Sequence, residues 1–216
     1  KGSPPDFRVA AQIRDGQITA LVVPLYGLNA KIFADANQLV IEHLRAANGE
    51  SELFVKGRLE RNGALLKKDF TIEATRLELD RQLRPHLPPD WERLYQLLSP
   101  AGQFNLNVRI AHDGHNAPQI TLEEFTAIDC SLLHQAFQYP INGITGTVRQ
   151  QDGNRFVVDM TGTASGRPVS IAGHIENPGP AMESRLSIPA SDIPINETFL
   201  NALQTEPLQK VREVVR

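Results

Sequence analysis

The sequence predicts a β-dominant α+β fold in which two tandem repeats, each of antiparallel strands plus a helix, form an elongated twisted sheet or half-barrel. Three observations lead to this prediction. Apolar residues recur at every second position in many segments, and Asx-Gly dipeptides separate those segments. The chain also matches itself when it is shifted by 116 residues, which is typical of an internal repeat.

The strands are indicated by the period of two. Phe7, Val9 and Ile13 alternate with mostly polar neighbours, and the same alternation runs through the segments 53–59 and 104–110. Successive side chains of a strand point to opposite faces, so each segment has one apolar and one polar face. Such strands are typical of antiparallel sheets.

Turn residues are expected to connect these strands as hairpins. Four Asx-Gly dipeptides predict hairpin turns, namely Asp15-Gly16, Asn62-Gly63, Asp113-Gly114 and Asp152-Gly153. Because the connections are short, the sequence predicts a meander of antiparallel strands and excludes a set of parallel βαβ units.

Helical spacing of apolar residues occurs in two places. The segment 91–98 has one apolar stripe, and Asp90 is expected to be its N-cap. A second helix is predicted over Asn196–Leu203 with Asn196 as the cap, and a further short helix from about Pro207 to the end.

The internal match keeps one register over about 60 positions. Its identical pairs include Pro24 with Pro140, Gly27 with Gly143, and Gly57 with Gly173. Between them the apolar character of the strand faces is kept. We therefore predict two β-repeats, each with a C-terminal helix, over residues 1–100 and 101–216.

Composition and charge exclude several classes of protein. Lys plus Arg is 22 and Asp plus Glu is 25, a net charge of −3, which argues against a general nucleic-acid binder. The single cysteine, Cys130, excludes an internal disulfide and a zinc site made of cysteines. No apolar run approaches the ~20 residues of a membrane helix. The sequence starts at Lys1 and ends inside a helical pattern, so we expect it to be a piece of a longer protein.

Candidate catalytic residues are few. His112, Asp113 and His115 could hold a metal ion, but the Asp-Gly dipeptide among them favours a hairpin turn. The small-residue string Thr161–Gly166 also favours a loop or hairpin over a nucleophile turn. Cys130 lies beside an acidic residue and is expected to be buried and unreactive. We predict no enzyme activity, no cofactor and no metal site, and keep a metal enzyme using the histidine cluster as an alternative.

A family resemblance is carried by three pairs of matching stretches. They are VPLYGLNAKI with YPINGITGTV, ELFVKGRL with PVSIAGHI, and LELDRQL with IPINETFLNAL. The stretch LLSPAGQFNLNVRI joins the two repeats. In this pattern nearly the whole chain resembles the AsmA-like (AsmA/TamB-type) bacterial envelope proteins, particularly the large planctomycete-type members.

The resemblance implies a non-enzymatic protein of the periplasm or cell envelope, anchored by a segment outside this sequence. It implies phospholipid transport or outer-membrane assembly, with phospholipid acyl chains, other envelope proteins or further repeats of the same chain as partners, and no nucleic acid or metal. The apolar sheet face would be the lipid groove. Its candidate residues are Phe7, Val9, Ile13, Leu53, Val55, Phe104, Leu106, Val108, Ile110, Val169 and Ile171.

A closed core is the alternative interpretation of the same residues. Periodicity does not separate a groove from a core, because both place apolar residues on one face. In that case the chain would be a structural or protein-interaction module of a cell-envelope protein. Its helices would close the sheet, and an exposed strand edge would bind a partner by strand addition.

Overall fold

The computed structural model describes residues 7–18, 24–79, 84, 89–177, 181–189 and 191–203. That part of the chain contains eleven strands and two helices. The strands are β1 (Arg8–Ile18), β2 (Leu25–Asp35), β3 (Gln38–Asn48), β4 (Ser51–Asn62), β5 (Leu65–Glu78), β6 (Ala101–His112), β7 (Gln119–His134), β8 (Phe137–Asp152), β9 (Arg155–Ala164), β10 (Arg167–Glu176) and β11 (Glu183–Ser187). The helices are α1 (Pro89–Leu98) and α2 (Glu197–Ala202).

The strands form one antiparallel sheet whose order follows the chain from β1 to β11. Two predicted turns, after Asn62 and after Asp152, connect β4 to β5 and β8 to β9. Asp113-Gly114 lies in the longer connection from β6 to β7, and the string Thr161–Gly166 forms the end of β9 and its turn into β10. The predicted β-dominant α+β class is confirmed, and the sheet is not closed into a barrel.

The chain divides into two compact units. Unit 1 comprises Lys1–Leu77 with Asn105–Glu124, and unit 2 comprises Glu78–Phe104 with Phe125–Arg216. Unit 1 thus contains β1 to β4 with most of β5 and β6, whereas unit 2 contains both helices, most of β7 and all of β8 to β11. The boundary between predicted repeats at residues 100 and 101 stays a prediction.

Strand pairing repeats at the same spacing of 116 residues as the sequence match. Leu44 stands opposite Val55, and its equivalent Met160 stands opposite Ile171. The repeat therefore extends to the hydrogen-bonded register and is not limited to the apolar pattern. This agreement follows because register is fixed by which residues must share the buried face.

The irregularities of the strands repeat as well. A register shift between Tyr26 and Asn29 recurs between Asn142 and Thr145. β1 has a further shift at Asp15, whose φ is 53°, and β7 has a similar shift at Asp129, whose φ is 50°, although these two positions are 114 and not 116 residues apart. Because similar register shifts occur in both halves of the chain, we interpret β1–β5 and β7–β11 as equivalent sets of strands.

The predicted hairpin turn at Asp15-Gly16 is wrong. Both residues lie inside β1, which continues to Ile18. The physical reason is that a positive φ at Asp15 serves a β-bulge as well as it serves a tight turn. The dipeptide alone does not distinguish the two structures.

Both described helices were predicted, and one predicted cap is wrong. Helix α1 begins at Pro89, so Asp90 lies inside the helix; a proline suits the first turn because its φ is already helical. In α2 the Asn196 side chain accepts a hydrogen bond from the Phe199 amide at 3.0 Å, which confirms this N-cap. The helix expected from Pro207 lies outside the described residues.

Candidate functional site

The strands of unit 1 place most of their apolar side chains on one face, although a few, such as Phe33 and Phe54, lie on the other. Residues that stand opposite each other on neighbouring strands share a face, and such pairs are Val9 with Ala34 and Val55 with Ile72. We call this surface the unit 1 apolar face. Its main members are Phe7, Val9, Ile13, Ile32, Ile41, Leu44, Leu53, Val55, Phe70, Ile72, Leu106, Val108 and Ile110.

Strand β6 joins this face through the position of Arg109. Asp69 stands opposite Arg58, whose side chain points away from the face that holds Val55. Because the Arg109 side chain contacts Asp69, Arg109 lies on that opposite side. Its neighbour Val108 therefore lies on the unit 1 apolar face.

The unit 1 apolar face is only partly buried. Val9 is 51% exposed and Phe7 is also exposed, while Ile13, Leu53 and Val55 are half-buried. Leu106, Val108 and Ile110 are half-buried as well. In unit 1 the described residues contain no helix that could cover this face.

The closely packed positions of unit 1 belong largely to small side chains. Ala30, Ala46 and Ala74 are buried, together with Leu28. Alanine brings little apolar area to a core. Larger neighbours such as Ile32 and Leu53 are partly accessible. The unit 1 apolar face thus combines buried small residues with larger residues that are partly accessible.

The opposite face of unit 1 carries charged side chains beside apolar ones such as Phe33. Arg45 pairs with Glu52 at 2.7 Å, and Arg109 donates two hydrogen bonds to Asp69 at 2.9 and 3.0 Å. The hydrogen bonds from Arg109 hold the pKa of Asp69 below its usual value, and Asp69 raises the pKa of Arg109. These pairs are exposed, so each adds little to stability.

Unit 2 places its equivalent apolar face in a closed core. The core cluster includes Ile144, Met160, Val169, Ile171 and Ala202 of helix α2. Val169 and Ile171 are only 4% and 5% exposed. These two groove candidates therefore lie in a helix-covered core, in contrast to their equivalents Leu53 and Val55 of unit 1, which are half-buried.

Aromatic contacts complete the closed core of unit 2. Phe199 of α2 meets Tyr139 edge-on at 5.7 Å and Phe137 at 6.3 Å. The Tyr139 hydroxyl is 2.7 Å from the Ser165 hydroxyl, so its polar end has a partner. Phe104, another groove candidate, is buried and stacks on Phe125 at 5.1 Å. The sequence pattern carried no signal that this half of the chain is the covered one.

The segment that contains His112, Asp113 and His115 forms a turn at the end of β6. The carboxylate of Asp113 accepts hydrogen bonds from the amides of His115 and Asn116 at 2.8 and 2.9 Å, and from the Asn116 side chain at 2.7 Å. These donors hold the pKa of Asp113 far below its usual value. His112 Nδ1 lies 2.7 Å from the Leu66 carbonyl oxygen. The described residues contain no group of three or more metal-ligating side chains.

Cys130 has the surroundings of a structural residue. It is buried in unit 2, and its thiol donates to the Gln103 carbonyl oxygen at 3.0 Å. Burial raises the pKa of the thiol, which keeps it protonated and weakly nucleophilic.

Comparisons with known proteins found no similar protein: no family model, no curated protein and no solved structure matches the chain. Within the described ranges, neither helix has the length and apolar character needed to span a membrane. The fold and the site define an antiparallel β-repeat protein in which the apolar face of one unit is partly exposed and the equivalent face of the other unit is covered by a helix.

Proposed function

We propose that the chain is a non-enzymatic, AsmA-like piece of a bacterial envelope protein that takes part in phospholipid transport or outer-membrane assembly. In this proposal the unit 1 apolar face holds acyl chains in the periplasm or cell envelope. The observation that carries the proposal is the contrast between this partly exposed face and the helix-covered core of unit 2.

The chemistry of the face suits an acyl chain. Most of its side chains are aliphatic or aromatic, as with Val9 and Val108, and offer burial without directional hydrogen bonds. Lys68, which stands opposite Leu59, is a charged exception. An acyl chain bound there gains ~0.8 kcal/mol for each CH₂ that it buries. A charged headgroup would stay in water, where no specific protein contact is required.

Only part of the predicted groove fits this role. Phe7, Val9 and Ile13 are accessible or half-buried, and so are the candidates on β4 and on β6 beyond residue 105. The proposal therefore assigns the acyl chain to unit 1. It treats Val169 and Ile171 as core residues whose loss would unfold unit 2.

Lipid transfer between vesicles tests this proposal. Val9→Glu places a carboxylate on the unit 1 apolar face at an exposed position, so we expect the fold to tolerate it. Ala10→Glu is the matched control, since Ala10 is also exposed and points to the opposite face. We expect at least about tenfold slower transfer of labelled phospholipid by the first variant, because a charge on this face must be desolvated.

Equal transfer by the two variants would count against the proposal, provided that both keep the circular dichroism spectrum of the unaltered chain. The proposal would also be contradicted if the unaltered chain and both variants all failed to transfer phospholipid. A third variant, Ile171→Glu, is expected to lose its folded spectrum, since Ile171 is buried in the unit 2 core.

A second candidate function is favoured by unit 2. Its helix-covered core, with Ala202 and Phe199 packed on the sheet, is what a structural or protein-interaction module of an envelope protein requires. In that function the contacts of the chain would be made by its surface and strand edges. Capture of an envelope protein by a chain that binds no phospholipid would favour it.

A further inference from the structure

The repeat gives β11 the position that β5 holds in the first set of strands. Gly173 stands opposite Leu186 of β11, as Gly57 stands opposite Phe70 of β5. The other edge of β5 is covered by β6, whereas β11 pairs only with β10 among the described strands. The outer edge of β11 is thus equivalent to an edge that a strand occupies in unit 1.

Burial agrees with an added strand at this edge. Leu186 is 40% exposed and Ile188 is 51% exposed, while their equivalents Phe70 and Ile72 are half-buried. All five residues of β11 are exposed. A strand placed beside β11 in the manner of β6 would cover apolar side chains that now face water.

The charges at the two edges are reversed. In unit 1 the acidic Asp69 is satisfied by Arg109 of β6. The residue equivalent to Asp69 is Arg185, which stands opposite His174 and forms no ion pair within the part of the chain that the structure describes. The residue equivalent to Lys67 is Glu183, and it stands opposite Glu176, a residue of the same charge.

We propose that the outer edge of β11 binds an extended segment of a partner protein, which adds to the sheet as an antiparallel strand. The segment carries a carboxylate at Arg185 and, two residues further along its own chain, a lysine or arginine at Glu183. Opposite charges on neighbouring strands attract, and like charges repel. The backbone of the added strand forms hydrogen bonds with the backbone groups on the outer edge of β11, and the charged side chains of that strand determine which partner binds.

The inference rests on the second candidate function and names the edge and the partner chemistry for it. It needs no lipid binding, because it concerns a strand of unit 2 and not the unit 1 apolar face. Strand binding at β11 and lipid binding at the unit 1 apolar face can therefore be tested separately.

Two peptides provide the probe. One has the sequence of residues 101–112, AGQFNLNVRIAH, which is the strand that covers β5. The other carries the changes Arg109→Glu and Ala111→Lys and so has the acid and base that the β11 edge requires. We expect the altered peptide to shift the amide resonances of Glu183–Ser187 in the full chain, with about tenfold higher affinity than the unaltered peptide.

Exchanging the charges of the protein supplies the control. Arg185→Asp together with Glu183→Lys recreates at β11 the charges of Asp69 and Lys67. These side chains are exposed on an edge strand, so we expect the folded circular dichroism spectrum to persist. The preference should then reverse, with the unaltered peptide binding more tightly than the altered one.

Three results of the peptide experiments would overturn the inference. They are resonances of Glu183–Ser187 that do not respond to either peptide, equal affinities of the two peptides, and an unchanged preference after the charge exchange. A dimer of the chain that buries β11 and excludes both peptides would also overturn it, in favour of a second copy as the occupant. An envelope protein that still binds the charge-exchanged chain without contact at β11 would leave the second candidate function standing without this edge.

Discussion

Gly57 of β4 is the position at which a single added methyl group should do most damage in unit 1. Its φ is +153°, a region that residues with a side chain rarely adopt. A Cβ placed there would lie 2.6 Å from Phe70 Cδ1, 2.7 Å from Phe70 Cα and closer still to the Asp69 carbonyl oxygen. Real Cβ atoms do not approach backbone atoms so closely, and thus β4 and β5 would have to move apart.

The cost of Gly57→Ala follows from two effects. Backbone strain at such a φ costs about 1–3 kcal/mol. Overpacking against a neighbouring backbone costs about another 1–3 kcal/mol. We therefore expect Gly57→Ala to lower the free energy of unfolding by about 2–6 kcal/mol, which is a large part of the stability of an ordinary domain.

Gly63→Ala is the matched control for this prediction. Gly63 also has a positive φ, +63°, but no atom lies within 4 Å of the position that its Cβ would take. Its replacement should cost only the strain of a left-handed residue, about 1–2 kcal/mol. Urea unfolding followed by far-ultraviolet circular dichroism gives both values. A loss for Gly57→Ala no larger than that for Gly63→Ala would refute the steric argument.

Three further predictions concern unit 2 and the β6–β7 connection. Asn196→Ala should destabilise α2 by about 1 kcal/mol in thermal unfolding, because the Phe199 amide loses its acceptor; no change would contradict the cap. The pKa of Asp113, measured by NMR, should lie well below 3.8. The ionised carboxylate then stabilises the fold above pH 3.8, and this stabilisation is lost as the pH falls through the lowered pKa. A midpoint at or above 3.8 would contradict the turn geometry. Cys130 should react with a thiol reagent far more slowly in the folded chain than in urea, and equal rates would contradict its burial.

Local structure was the part of the fold that the sequence predicted well. The period of two predicted the strands around Val9, Val55 and Val108, and Asn196 was correctly predicted as a helix cap. These features depend on residues close together in the chain. Asp15-Gly16 was misinterpreted because a bulge and a turn require the same local backbone conformation.

Burial was the part that the sequence pattern did not predict. Leu53 and Val55 are equivalent to Val169 and Ile171 in sequence and in strand register, yet the second pair is buried and the first is half-buried. The difference depends on which segment packs on each face, and strand periodicity does not contain that information. For the same reason, the eleven groove candidates include residues of an accessible face and residues of a closed core.

Native mass spectrometry of the purified chain, with organic extraction of the same sample, tests most directly whether the unit 1 apolar face holds acyl chains. If the face holds acyl chains, about one phospholipid should be bound per chain, retained by Ala10→Glu and lost in Val9→Glu and in a folded Val108→Glu variant. A mass without lipid, with no uptake after phospholipid vesicles are added, would contradict the proposal and would leave unit 1 without a lipid-binding role.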